Sequence, residues 1–164
     1  MPTWFVGNVL SPTKSQPEKH DHTFAFTKKE SEELDLTNIP IRLEHDKEME
    51  VGHITKAWSS SDGSKWVLGR INDESLESRF AQYAVKESST GHRYYTGLSL
   101  QHVHTQYASG TSKKEAIEVS LCCDPRRDDC RIVFVNSKPK EFETEKYEYK
   151  IRQFASKMSA EDTK

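Results

Sequence analysis

The chain has 164 residues, a length that fits one domain around a single core. Its formal net charge of -2 supplies no field to draw nucleic acid or an anionic membrane. No apolar run approaches the roughly 18 residues that a bilayer crossing requires, so neither partner is expected.

Met1 to Leu10 lacks a cationic stretch followed by a long apolar one, and a secretory leader is not expected. Trp4 to Leu10 is rich in aromatic and β-branched residues and reads as an opening strand. Ser11 to His22 is polar, with two prolines, and reads as a loop before a short edge strand at Thr23–Phe26. Thr27 followed three residues later by Glu30 is a capping pair, which starts a short helix. Ile39, Ile41 and Leu43 alternate with polar residues, the period of a half-buried strand. Met49–Trp58 and Lys65–Ile71 flank a run of Ser, Asp and Gly and read as a hairpin. Leu76, Phe80, Tyr83 and Ala84 fall at helical spacing within Asn72–Lys86, and Ser88–His92 breaks that pattern. Tyr94–Tyr107, Ala116–Cys123 and Arg131–Val135 are the last strands, and Glu141–Met158 is a charged terminal helix. Many strands at short spacing predict a mainly β domain, a barrel or sandwich with peripheral helices.

Three cysteines, Cys122, Cys123 and Cys130, are an odd number in a spacing that suits neither a zinc knuckle nor a redox pair. They are expected as free thiols of a reducing compartment, at least one of them in the core. Among seven histidines, His102 and His104 share one strand face, which permits zinc binding with cysteine or a simple solvent-facing pair. Histidine can also act as the base that activates a hydroxyl, if a third group holds its tautomer. Composition does not select the serine. Ser99 lies between Leu98 and Leu100 on a strand and must therefore point to the opposite face, where a buried hydroxyl needs a partner.

Four stretches, in order, resemble the herpesvirus capsid-maturation protease family, the assemblins. They are Trp4-Phe5-Val6-Gly7; Ile39 to Asp46 followed by Val51-Gly52-His53-Ile54; Tyr95 to Leu100; and Glu118-Val119-Ser120-Leu121-Cys122 followed by Arg126-Arg127. The resemblance implies a seven-stranded β-barrel with surrounding helices. It implies a serine endopeptidase with Ser99 as nucleophile, His45 as general base, and Arg126 and Arg127 in the loop that supports the oxyanion, one by a backbone N–H and one through its side chain and a water. The family's third member is a second histidine; here that position is Glu118, which can accept the Nδ1 proton of His45. His104 is the alternative occupant of that role. The resemblance further implies no metal and no cofactor, a homodimer, and a capsid scaffold polyprotein as substrate. Residues 1–138 are then the protease domain, and 139–164 a C-terminal helix with a possible linker to a scaffold segment. Ala155-Ser156 is chemically the kind of bond at which such enzymes release themselves, but it reads first as an ordinary dipeptide of a terminal helix. The expected location is intracellular, in the host nucleus if the source is viral. Two other readings are an inactive protease-fold dimer serving capsid assembly, and a more distant phage-type prohead protease with the same chemistry.

Overall fold

The computed structural model describes residues 3–11, 26–72, 97–122, 130–135 and 144–162. The expected edge strand before Phe26, the helix within Asn72–Lys86, the first residues of the Tyr94 strand, Cys123 and the Asp124–Asp129 turn lie outside them.

Seven strands form one sheet: β1 (Thr3–Leu10), β2 (Pro40–Leu43), β3 (Glu50–Ser59), β4 (Lys65–Ile71), β5 (Gly97–Gln106), β6 (Ser112–Cys122) and β7 (Ile132–Val135). Their spatial order is β5-β6-β2-β3-β4-β1-β7. Pairing irregularities at Asn8/Leu10, Ile41/Arg42, Ile54/Lys56 and Gln101/His102 interrupt the ladders. Such bulges bend a strand and increase its twist. The sheet curls until its edges approach: Gly97 of β5 bridges Arg131, just before β7, and the Leu98 N–H donates to the Cys130 carbonyl at 2.9 Å. The result is a mainly β, curled half-barrel with few helices. Gly7 helps the closure, because a side chain there would collide with Leu98 and Ile132.

The inner face collects the apolar side chains, among them those of Ile41, Leu43, Leu98 and Leu100 that strand alternation assigned to one face. Phe5, Ile41, Leu43, Ile54, Leu98, Leu100, Val119 and Leu121 are all buried in one cluster. Helix α1 (Lys28–Glu33) begins at Thr27 with both hydrogen bonds of the expected capping pair to Glu30. Helix α2 (Thr144–Asp162) packs on the outer face of β1 and β4, where Ile151 is buried with Val6, Trp66, Leu68 and Val135. Arg152 of α2 pairs with Asp62 at 3.0 Å and lies over the Trp66 ring, which clamps the helix to the β3–β4 turn.

Strand β6 starts at Ser112, four residues before the position that the sequence pattern gives. Ser112 to Glu115 carry no apolar alternation because this arm of the β5–β6 hairpin has little core to face. It is held by its ladder to β5, and by Lys114, which pairs with Glu30 at 2.9 Å and lies over the Phe26 ring.

Candidate active site

One parallel pairing positions the site. Among the described residues the other strand pairs are antiparallel, but β2 runs parallel to β6, with Ile41 beside Val119 and Leu43 beside Leu121. The residues after Leu43 therefore leave β2 next to the end of β6. Glu44 and His45 then both adopt left-handed backbone, φ 50° and 63°. Side-chain-bearing residues rarely occupy that region, and where they do, surrounding contacts must hold them. Here the Glu44 N–H donates to the Leu121 carbonyl at 3.0 Å, and the Asp46 N–H closes the turn on the Leu43 carbonyl. The turn carries His45 back over the outer face of β6.

On that face the alternation of β6 sets Glu118 and Ser120 outward, while Val119 and Leu121 face the core. Strand β5 is registered so that Ser99 lies opposite Ser120 and Gln101 opposite Glu118. Ser99 points away from Leu98 and Leu100, as its leucine flanks require, and is half-buried.

The three side chains form one hydrogen-bonded line. Ser99 Oγ is 2.8 Å from His45 Nε2, and His45 Nδ1 is hydrogen-bonded to Glu118 Oε1. Glu118 is 0% exposed, whereas the His45 side chain is 38% exposed. A buried carboxylate requires partners for both oxygens. Oε2 accepts from the Ser120 hydroxyl at 2.7 Å, and Ser120 Oγ in turn accepts the His45 backbone N–H at 2.9 Å. Because an ionised Glu118 can only accept, the network assigns the Nδ1–H tautomer to His45 and leaves its Nε2 lone pair facing the Ser99 hydroxyl. That is the protonation pattern a general base needs.

Of the expected site residues, the structure brings Ser99, His45 and Glu118 together. Arg126 and Arg127 lie outside the described residues. His104 sits on β5 five positions beyond Ser99, paired with Lys114, while Glu118 occupies the place beside His45 Nδ1. His102 packs edge-on against Phe26 with ring centroids 4.9 Å apart. Cys122 lies opposite Gly97, about 17 Å along the ladder from the His102 level at the usual strand rise. Cys122 and Cys130 are buried thiols, the latter hydrogen-bonded to the Val9 carbonyl, which fits the core reading. Among the described residues, no cluster of three His, Cys, Asp or Glu side chains is arranged to hold a metal. Ser120 joins the site although the motif reading gives it no role. Its signal was the Glu-x-Ser spacing, which on a strand puts a carboxylate and a hydroxyl on one face.

No family model matches the chain, and no curated protein matches it in sequence. Solved structures match it in fold. The protease of Kaposi's sarcoma-associated herpesvirus, in complex with a hexapeptide phosphonate inhibitor, superposes with a TM-score of 0.56 at 22% identity, covering 82% of this chain and 66% of that one. The same virus's protease in complex with a dimer disruptor gives 0.53 at 23% identity, over 82% and 77%. Varicella-zoster virus protease gives 0.52 at 15% identity, over 84% and 65%. The chain thus spans somewhat less than two thirds of two of these proteins. The fold is that of the herpesvirus proteases, so the likeness read from four short motifs extends to the architecture of the sheet.

Proposed function

We propose that this chain is a serine endopeptidase in which Ser99 is the nucleophile, His45 the general base and Glu118 the third member of the triad. The observation that carries the reading is the unbroken line of hydrogen bonds from Ser99 Oγ through both ring nitrogens of His45 to a fully buried carboxylate. The two arms of the β5–β6 hairpin and a turn more than 50 residues earlier meet there, on the outer face of a sheet whose fold is that of viral proteases.

In the proposed reaction, Ser99 Oγ attacks the carbonyl carbon of the scissile peptide while His45 Nε2 takes its proton. The imidazolium so formed is stabilised by the Glu118 carboxylate across Nδ1. The tetrahedral oxyanion collapses as His45 gives its proton to the leaving amine, and the peptide bond breaks to leave an ester on Ser99. Water, deprotonated by the same Nε2, then hydrolyses the ester and regenerates the serine. The motif resemblance assigns the oxyanion support to Arg126 and Arg127. Losing one such donor typically costs a hundredfold or more in rate. These steps need proton transfer and an acyl ester alone, and call for no metal or cofactor.

The substrate class that the motif resemblance implies is a capsid scaffold polyprotein, with the chain acting as a homodimer inside the host cell, in the nucleus if its source is viral. The related protease named with a dimer disruptor supports the dimer by analogy. Incubating the purified chain with a diverse peptide library, with cleavage read by mass spectrometry across a range of protein concentrations, tests the proposal. Cleavage is expected that vanishes in Ser99→Ala and strengthens as the chain self-associates. A folded, dimeric wild type with no cleavage at any site would favour a non-catalytic capsid-assembly module instead.

A further inference from the structure

We propose that Ser120 is a positioning residue that locks the acid and the base of this site to each other; the inference rests on the triad reading above. Its hydroxyl touches both. It donates to Glu118 Oε2 at 2.7 Å and accepts the backbone N–H of His45 at 2.9 Å. Ser120 is itself 0% exposed, so neither bond is shared with bulk solvent.

Two requirements converge on this one oxygen. Glu118 reaches His45 with Oε1 only, and its other oxygen faces a dry environment in which an unpartnered carboxylate lone pair is costly. The Ser120 O–H meets that need and fixes the carboxylate plane, which sets the angle at which Oε1 meets Nδ1. His45, for its part, stands on left-handed backbone that must be held from outside, and its N–H is anchored to the same Oγ. A carboxylate in this role is longer and more mobile than a ring, with three side-chain torsions to fix. The hydroxyl two residues along the strand, on the same face, supplies that fixing. Ser120 also lies directly opposite Ser99 in the ladder, so nucleophile, acid and base are all referenced to one point on β6.

The test compares wild type, Ser120→Ala, Ser120→Cys and Ser120→Thr in the full chain. Two readouts are used: the pH dependence of reaction with a fluorophosphonate probe, and the titration of the His45 ring by NMR. In Ser120→Ala the labelling rate is expected to fall about 10- to 100-fold, the range for breaking a hydrogen bond to a buried charge. Its acid limb should move to higher pH, because the hydroxyl no longer favours the anionic form of the pair. Ser120→Thr, which keeps the hydroxyl, should restore both. A purely structural role would lower the amount of folded protein and leave the pH profile of the remainder unmoved. If Ser120→Ala does not fold, the near-isosteric Ser120→Cys carries the same expectation at smaller size. A wild-type rate and limb in the folded Ala or Cys variant overturns the proposal. If the wild type itself does not react with the probe, the peptidase reading fails. The positioning role is then judged on the NMR titration alone, where an unmoved His45 in Ser120→Ala overturns it.

Discussion

Replacing Glu118 by Gln removes one charge and almost no volume, which makes it the sharpest perturbation of the proposed triad. Glu118 is fully buried, with Oε1 on His45 Nδ1 and Oε2 on the Ser120 hydroxyl. A glutamine amide can fill this slot in two orientations. With its NH2 toward His45, it forces the proton onto Nε2, and the ring can no longer accept the Ser99 proton. With its carbonyl toward His45, the tautomer survives but the imidazolium loses its counter-charge. At about 4 Å between charges and an effective dielectric constant of about 20, that attraction is about 4 kcal/mol. The corresponding loss is roughly a thousandfold in the acylation rate; a wrong tautomer costs up to about ten thousandfold in the well-studied triads. The assay is the second-order rate of acylation by an activated ester or fluorophosphonate, with folding checked by NMR. Acylation by folded Glu118→Gln within threefold of wild type would refute the reasoning. A matching loss in His104→Ala would give the third role to that histidine instead.

Ile151→Ala should destabilise the domain by about 2–4 kcal/mol, because it empties a fully buried site between α2 and Trp66; thermal unfolding reads this, and limited proteolysis should cut α2 first. Gly52→Ala should cost about 2 kcal/mol or more, because its new methyl group meets the Arg70 backbone carbonyl of the paired strand, which cannot step aside; denaturant unfolding checks it. Burial tends to raise the Asp62 carboxyl, but hydrogen bonds from Ser60, the Ser64 N–H and Arg152 outweigh it and hold the group well below the usual carboxylate range. A depressed carboxylate adds stability above its unfolded pKa of about 4 and loses it as pH falls through the folded value. Wild type should therefore exceed Asp62→Asn by up to about 1 kcal/mol at neutral pH, given the partial exposure of the pair. The gap should close on acidification below about pH 4, as measured by unfolding at each pH.

Local patterns made most of the strands legible. Lys65–Ile71 has the bounds read from its flanking turn, and the alternation of Ile41 and Leu43 put both residues in the core. Thr27 and Glu30 cap α1 as their spacing required, because that signal is complete within four residues. Ser99 faces outward because its two leucines face inward, a consequence of strand period alone. What brings the site together is not local. The parallel β2–β6 pairing leaves no periodic trace in either strand, yet it carries His45 to Glu118. The left-handed turn at Glu44–His45 contains no glycine or asparagine to announce it. Nothing local distinguishes Ser120 from other strand serines, because one of its two partners lies 75 residues away. The resemblance to the assemblins had to stand in for that tertiary information, and it named Ser99, His45 and Glu118 where composition named none of them.

A single reactive hydroxyl is the central claim, and a fluorophosphonate probe addresses it directly. Folded protein treated with the probe should gain one adduct, mapped by peptide mass spectrometry to Ser99, and Ser99→Ala and His45→Ala should gain none. Modification spread over several serines at the rate of free hydroxyls, or no modification of a folded wild-type chain, would contradict it.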